Sequence, residues 1–264
     1  MALINKLFCA RDFFVLILGV MVMQVLVWLL INRFMFHPVS GGYDQNLDGY
    51  VALEVNGEKV AVRVLGPRRG RKAILFCHGN AEDLTSLDGR FDHLVADGVT
   101  VATFDYPGYG LSDGSPSEAG CYRNCHVLYD WLVNTRNFLP KDIFVVGFSI
   151  GSGVAVELAA TREVGGLWLE APFLSAPRAV TRVRLFWVDS FPNIDRMVNV
   201  HCPVVVMHGT ADRIIPFSQG KQLAAAVSVP KRFIPVDGAG HEDLIMTYGV
   251  KNYEHELREF LSQE

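Results

Sequence analysis

The chain has 264 residues, of which half are hydrophobic, and its formal net charge is −4. This length suits one mid-sized domain with a short additional segment, and the apolar content is too high for a disordered chain. The weak acidity and the scattered basic residues give no reason to expect a nucleic-acid partner.

An uncharged apolar run occupies Phe13–Ile31, where Gln24 is the one polar side chain. As a helix, a run of this length rises about 28 Å, close to the roughly 30 Å of a bilayer's hydrocarbon layer. A cleaved signal peptide would end in small residues, whereas this run is followed by Asn32-Arg33-Phe34. A helix buried in a protein core would be amphipathic or shorter. The sequence therefore predicts one N-terminal transmembrane helix, within a membrane anchor over residues 1–36.

The charges that flank the apolar run bear on its orientation. Lys6 and Arg11 precede the run and are partly offset by Asp12, while Arg33 follows it. The positive-inside rule then favours a cytoplasmic N-terminus and an exported C-terminal part, by a margin of about one charge.

After a linker at residues 37–49, strand-like and helix-like segments alternate over 50–264. Asn56-Gly57 joins the first two strands into a hairpin. The later apolar runs do not alternate with polar residues, which is typical of strands covered on both faces. The sequence predicts an α/β fold whose mostly parallel eight-stranded sheet has helices on both faces. The predicted strands are Val51–Val55, Lys59–Leu65, Ala73–Cys77, Thr100–Phe104, Ile143–Gly147, Leu167–Glu170, Val204–His208 and Arg232–Val236. The predicted helices are Leu84–Ala96, Glu118–Thr135, Ile150–Thr161, Ser218–Val227 and Asp243–Ser262.

The first chemical motif is Gly147-Phe148-Ser149-Ile150-Gly151, between the fifth predicted strand and a helix that starts with small residues. A strand-to-helix turn this sharp strains the serine backbone, so flanking glycines are needed to avoid clashes. The turn exposes the serine oxygen above the sheet. The motif predicts Ser149 as a nucleophile.

An oxyanion hole needs two backbone donors near that serine. The amide of Ile150 follows the nucleophile directly, and the second donor is expected from the loop after the third strand. That loop reads Cys77-His78-Gly79-Asn80-Ala81. We predict the amide of Asn80 as the second donor, with Ala81 as the alternative, and a bracing role for His78.

A general base should follow the last strand, where a loop can return over the nucleophile. His241 lies in such a loop, Gly238-Ala239-Gly240-His241, before the last helix. His208 ends an earlier strand and is expected to brace a turn. The sequence therefore predicts His241 as the base.

Three acidic residues compete to orient that base. Asp212 lies in the loop after the seventh strand, Glu170 ends the sixth strand, and Asp237 is close to His241 in sequence. The chain order Ser, Asp, His places each member on its own loop at the carboxyl edge of the sheet. This order favours Asp212, with Glu170 as the main alternative. The five cysteines show no zinc-ligand spacing, so no metal is expected. No cofactor is expected either.

The combined motifs resemble a known family. They are LFCHGNAED, FDYPGYGLSDGSPSE, VVGFSIGSG, LEAPF, VVVMHGTADRIIPF and GAGHEDL. From about residue 50 onward, the chain is similar to the membrane-anchored α/β-hydrolases of the serine-aminopeptidase-like group. This group includes bacterial inner-membrane proteins and animal enzymes that remove palmitate from proteins. The resemblance implies the α/β-hydrolase fold, the triad Ser149, Asp212 and His241, and a single-pass protein of the bacterial inner membrane.

The chain departs from that family at a few positions. Pro107 stands where relatives often carry arginine, and Ile150 stands where leucine is usual. A hydrophobic span also replaces the cysteine-rich, lipidated N-terminus of the animal enzymes, so depalmitoylation is not carried over.

Residues 176–200, between the sixth and seventh strands, are expected to form a short cap. Leu185, Phe186, Trp187 and Phe191 lie there among Arg178, Arg182 and Arg184. Such a segment can pack on the domain or form an apolar acyl groove with a basic rim. With a membrane anchor, it favours hydrolysis of carboxylic ester or thioester bonds in an acyl-bearing small molecule, lipid or lipidated protein. A serine peptidase or amidase is the alternative, and a non-catalytic membrane interaction protein is a third possibility.

Overall fold

A computed structural model of the protein describes residues 10–68, 70–181 and 189–262, without the side chains of residues 10–12, 24, 25, 27–34, 180 and 181. Eight strands form one sheet in the order β1-β2-β4-β3-β5-β6-β7-β8. They are β1 (Tyr50–Val55), β2 (Glu58–Leu65), β3 (Ala73–Cys77), β4 (Thr100–Phe104), β5 (Ile143–Phe148), β6 (Gly166–Glu170), β7 (Val204–Gly209) and β8 (Lys231–Val236). The pairs β1–β2 and β2–β4 are antiparallel, and all others in this sheet are parallel. The predicted mostly parallel sheet is confirmed.

Helices cover both faces of the sheet. The α-helices are α1 (Ala10–Met35), α2 (Asp92–Ala96), α3 (Glu118–Asn134), α4 (Ile150–Thr161), α5 (Ala176–Thr181), α6 (Asn193–Arg196), α7 (Phe217–Ala225), α8 (Leu244–Tyr248) and α9 (Val250–Ser262). Short 3₁₀ turns occupy Leu84–Leu87, Pro140–Asp142 and Met197–Asn199. One apolar core contains side chains of α3, α4 and α7, and a second contains those of α2 and α9. Because the inner strands contribute to both cores, their side chains are apolar without alternation.

Two of the predicted helices are each broken into two shorter ones. The segment predicted as Leu84–Ala96 is a 3₁₀ turn followed by α2, and Gly89 between them has φ of 70°. The segment predicted as Asp243–Ser262 is divided into α8 and α9 at Gly249, where φ is 92°. Left-handed φ values end a right-handed helix, and glycine adopts them without a steric penalty.

Helix α1 coincides with the N-terminal apolar run. The side chains from Phe13 to Met23 are exposed, with Phe13 at 64% and Phe14 at 66% of full exposure. Over the part of the chain that the structure describes, no helix has both the length and the apolar character needed to cross a membrane. The transmembrane helix predicted from the sequence is therefore not found.

The segment predicted as a linker lies against the domain. Phe36, just before it, is buried, and its ring centroid is 6.2 Å from that of Phe191. Val39 accepts a backbone hydrogen bond from the amide of Gly110 at 2.7 Å. The hydroxyl of Tyr43 donates a hydrogen bond to the buried carboxylate of Asp105. The chain between α1 and β1 is thus held against the loop that follows β4.

Candidate functional site

Ser149 lies in a sharp turn between β5 and α4, above the carboxyl edge of the sheet. Its backbone has φ of 52° and ψ of −119°, a conformation that costs a non-glycine residue about 1–3 kcal/mol. A side chain on Gly147 could not fit, since its Cβ would lie 2.6 Å from the carbonyl oxygen of Gly151 and 2.7 Å from the Cβ of Ala155. Packing therefore requires the glycine at position 147 of the sequence pattern. The turn leaves Ser149 partly exposed.

His241 reaches Ser149 from the loop after β8. Its Nε2 lies 2.9 Å from the Ser149 Oγ, and its side chain is 5% exposed. The imidazole also lies against the ring of Phe148, with 5.3 Å between ring centroids. Packing and a hydrogen bond thus fix the ring beside the serine oxygen.

Asp212 holds the other side of the imidazole. Its Oδ2 lies 2.8 Å from Nδ1 of His241. Because a carboxylate only accepts hydrogen bonds, Nδ1 carries the proton, and Nε2 is left to accept one from Ser149. Oδ1 accepts the backbone amides of Ile214 and Ile215 at 2.9 and 2.8 Å.

The surroundings of Asp212 also lower its pKa. Burial alone would raise the pKa, but hydrogen bonds from His208 and His241 and the attraction of His241 outweigh burial and hold it well below the usual range. Asp212 is therefore ionised at neutral pH.

His208 is a second histidine beside Asp212. Its Nε2 lies 3.0 Å from the carbonyl oxygen of Ile215 and 3.3 Å from Oδ2 of Asp212, and its side chain is fully buried. Both neighbours are acceptors, so Nε2 carries a proton. His208 thus braces the turn, as expected, and also contacts the carboxylate, which the sequence reasoning missed. The spacing His208-Gly-Thr-Ala-Asp212 at a strand end is the signal that could have indicated this contact.

Glu170 has different partners from those of a histidine-orienting acid. It is 1% exposed and pairs with the guanidinium of Arg90. It also accepts hydrogen bonds from Nε1 of Trp168 at 3.0 Å and from the hydroxyl of Tyr253 at 2.6 Å. Glu170 thus forms a buried ion pair with Arg90, whereas the carboxylate that is hydrogen-bonded to His241 belongs to Asp212.

Asp237 also has a partner other than His241. It is exposed, and its Oδ1 accepts a hydrogen bond from the hydroxyl of Thr210 at 3.1 Å. Of the three acidic candidates, the structure brings Asp212 to His241.

The loop after β3 lies beside the start of α4. A Cβ on Gly151 would collide with the carbonyl oxygen of Cys77, and a Cβ on Gly79 would lie 2.8 Å from the ring of Phe148. Ile150 is the first residue of α4, so its amide has no acceptor within the helix. Close packing of glycines thus brings the loop that carries Asn80 next to the amide of Ile150.

The predicted cap is only partly described. Helix α5 begins it, and Phe191 is fully buried near its end. Arg182, Arg184, Leu185, Phe186 and Trp187 lie outside the described residues. The described part of the cap packs on the domain, because Phe191 lies against Gly153 of α4.

A cavity of about 880 Å³ lies at the amino ends of the strands, opposite the end that carries Ser149. Lys72, Gly165 and Pro203, which line it, directly precede β3, β6 and β7. Ser149, in contrast, follows a strand. Since ligands of open α/β sheets bind beyond the carboxyl ends of the strands, the triad and not this cavity marks the candidate active site.

Comparison with known proteins identifies the fold. Residues 72–196 match the family model of the α/β-hydrolase fold. An esterase from Pyrococcus furiosus superposes with a TM-score of 0.67 at 17% identity, covering 86% of this chain and 97% of that one. Est1E from Butyrivibrio proteoclasticus, with ferulic acid bound, gives a TM-score of 0.67 at 16% identity, covering 81% of this chain and 100% of that one. Together with the sheet order, these matches show that the chain has the α/β-hydrolase fold.

Two curated relatives are similar in sequence. An uncharacterised protein of Mycobacterium tuberculosis is 37% identical over 178 residues, which is 65% of this chain and 63% of that protein. The human α/β hydrolase domain-containing protein 17B is 34% identical over 194 residues, which is 72% of this chain and 66% of that protein. The chain thus spans slightly under two thirds of the length of these relatives. The α/β-hydrolase part of the sequence-based resemblance is confirmed.

Proposed function

We propose that this protein is a serine hydrolase that cleaves carboxylic ester or thioester bonds of acyl substrates. One observation carries the proposal: Ser149 Oγ, at a strained strand–helix turn, lies 2.9 Å from a histidine nitrogen whose partner nitrogen lies 2.8 Å from a buried carboxylate. A serine hydroxyl is a weak nucleophile until a neighbouring base removes its proton. The esterase from Pyrococcus furiosus, which shares the fold, adds support.

The first half of the proposed reaction forms an acyl-enzyme. His241 Nε2 takes the proton of Ser149 as Oγ attacks the substrate carbonyl carbon. The carbonyl electrons move to its oxygen, which the amides of Ile150 and Asn80 stabilise. Asp212 stabilises the imidazolium that forms. The intermediate then expels the alcohol or thiol, which takes its proton from His241.

The second half returns the free enzyme. His241 removes a proton from water, whose oxygen attacks the acyl carbon. The second tetrahedral intermediate releases the carboxylic acid, and Ser149 recovers its proton from His241. No cofactor takes part in this scheme, because nucleophile, base and oxyanion donors all come from the chain.

The preference for acyl esters and thioesters rests on the leaving group and on the esterase that shares the fold. A thiol or alcohol leaves more readily than an amine, which must be protonated as it departs. We expect hydrolysis of p-nitrophenyl esters or acyl thioesters of graded chain length, with kcat/KM at least tenfold above that for aminoacyl p-nitroanilides. Ser149→Ala is the control in each assay. Faster turnover of the anilides would replace the esterase proposal by the peptidase or amidase.

We also propose that α1 attaches the protein to a membrane. The proposed membrane is the bacterial inner membrane, with the hydrolase domain on the exported side. The proposal is supported by the exposed apolar side chains from Phe13 to Met23 and by the absence of charge from Phe13 to Ile31. Burying such side chains in lipid gains about 25 cal/mol per Å².

The attachment is tested by sodium carbonate extraction of cell membranes. The wild-type protein should stay in the pellet, and a double change Leu16→Glu with Val20→Glu should move it toward the supernatant. The matched control changes Val198 and Met246, which are exposed apolar residues of the domain, to glutamate and should leave extraction unchanged. Release of the wild-type protein by carbonate would contradict attachment through a lipid-embedded helix.

A further inference from the structure

The side chain of Asn80 joins the end of α1 to the loop after β3. Its Nδ2 donates to the carbonyl oxygen of Met35 at 2.7 Å and to Nδ1 of His37 at 2.8 Å. Its Oδ1 accepts the backbone amide of His37 at 2.9 Å. All of these contacts connect residues 43 to 45 positions apart in the sequence.

The contact with Met35 satisfies a helix end. Met35 is the last residue of α1, and the final carbonyls of a helix have no partner within the helix. Asn80 supplies one such partner from another part of the chain. The neighbouring Phe36 is 6% exposed and lies in the core that contains α3 and α4. The end of α1 is therefore held both by hydrogen bonds and by apolar packing.

Tyr109 closes the network from a third segment. Its hydroxyl donates to Oδ1 of Asn80 at 2.7 Å and accepts the amide of His37 at 3.0 Å. The tyrosine is fully buried. Both polar atoms of the Asn80 amide thus have partners that are themselves fixed, so the side chain has one orientation.

The backbone of this loop needs such support. Ala81 has φ of 58°, a left-handed value that a non-glycine residue adopts only at a cost. The preceding amide of Gly79 is held by the carboxylate of Glu82 at 2.7 Å. Between these two points, the Asn80 side chain is held by its hydrogen bonds to Met35, His37 and Tyr109. We infer that these bonds set the direction of the Asn80 backbone amide. An oxyanion donor must point at the position of the developing charge, and loss of one donor typically costs about 10²–10³ in kcat.

We propose that Asn80 is a positioning residue: its side chain ties the loop that carries an oxyanion donor to the end of α1, so that this helix end and the oxyanion hole are set as one unit. The inference rests on the proposed serine-hydrolase function. Its consequence is that the segment Met35–His37 is needed for efficient turnover although it contributes no member of the proposed triad or oxyanion hole.

The experiment uses the full-length protein and a short soluble ester, with active enzyme counted by fluorophosphonate titration. Asn80→Ala should lower kcat by about tenfold or more, toward the cost of a lost oxyanion donor, while KM changes less than about threefold. Tyr109→Phe removes one of the hydrogen bonds and should lower kcat in the same direction by a smaller factor. A residue with only a structural role would change the amount of folded enzyme and not kcat per active site.

Asn252→Ala is the matched control. Asn252 is an exposed asparagine of α9 whose side chain also donates to a backbone carbonyl, that of Tyr248 at 2.8 Å. It should keep the wild-type kcat. A wild-type kcat in Asn80→Ala would overturn the inference, and if that variant does not fold, a wild-type kcat in Tyr109→Phe would overturn it. Ser149→Ala is measured in parallel, because full activity there would overturn the serine-hydrolase function itself.

Discussion

Replacing Asp212 by asparagine gives the sharpest separation between the roles of the acidic residues. The side chain has acceptors on both sides: Oδ2 faces His241 and His208, and Oδ1 faces the amides of Ile214 and Ile215. All four partners are donors, so a carboxylate satisfies every one. An amide has one oxygen and one NH₂ group, and it can satisfy only one side.

Either orientation of the new amide is harmful. With NH₂ toward His241, Nδ1 must become an acceptor and Nε2 a donor, so that Nε2 can no longer take the proton of Ser149. This reversal of the tautomer costs about 10⁴ in kcat, or about 5.5 kcal/mol. With NH₂ toward Ile214 and Ile215, both backbone amides lose their acceptor, and for the buried amide of Ile215 this costs about 1–3 kcal/mol. The histidine side is the smaller loss in stability, so we expect Asp212→Asn to fold and to lose about four orders of magnitude in kcat.

The assay is hydrolysis of a short p-nitrophenyl ester, followed with thermal unfolding of the same samples. Asp237→Asn is the matched control, since it changes an exposed acid four residues from His241 and should keep kcat within about twofold. A loss of less than tenfold in folded Asp212→Asn would refute the assignment of the acid. If Glu170→Gln were then the damaging change, the acid would have to be placed at the end of β6.

Three further predictions concern the pKa of Asp212, the ion pair of Glu170 and the packing of Gly151. The pKa of Asp212 is lowered in the folded state, so the ionised carboxylate stabilises the fold fully above the ordinary aspartate pKa of about 3.9. This stabilisation is lost as the pH falls further. Thermal melts between pH 7 and 3 should therefore show the wild type losing stability relative to Asp212→Asn. Glu170→Gln should lower the free energy of unfolding by about 3–5 kcal/mol, measured in urea, because Arg90 loses its buried counter-charge, while kcat per folded molecule stays within about threefold. Gly151→Ala should lower both Tm and kcat, because the added Cβ meets the carbonyl of Cys77; an active variant with unchanged Tm would show that the two backbones are not in fixed contact.

Local sequence patterns predicted the sheet well, because the apolar run that identifies each inner strand lies within that strand. Runs such as Ile143–Phe148 are buried on both faces, and only a continuous apolar sequence suits that environment. The turn at Ser149 was likewise readable, since its strain requires glycines at fixed positions. Helix interruptions were harder to predict. Gly249 lies inside an otherwise regular helical pattern, and its left-handed backbone depends on how α8 and α9 pack.

The contacts between distant segments could not be predicted from the sequence. The chain order favoured Asp212, but the ion pair between Glu170 and Arg90 is visible only in the folded structure. In the same way, nothing near Asn80 in sequence indicates that its side chain bonds to the end of α1. Such contacts depend on the tertiary positions of loops at one edge of the sheet, and sequence spacing does not encode them.

The central claim, that His241 activates Ser149 as a nucleophile, is tested most directly by covalent labelling. A fluorophosphonate probe should modify the wild-type protein at a single site, which tandem mass spectrometry of the peptides should place on Ser149. Ser149→Ala should abolish the labelling, and His241→Ala should slow it by several orders of magnitude, because the hydroxyl then has no base. Labelling that persists in Ser149→Ala, or that maps to another residue of the wild-type chain, would contradict the account.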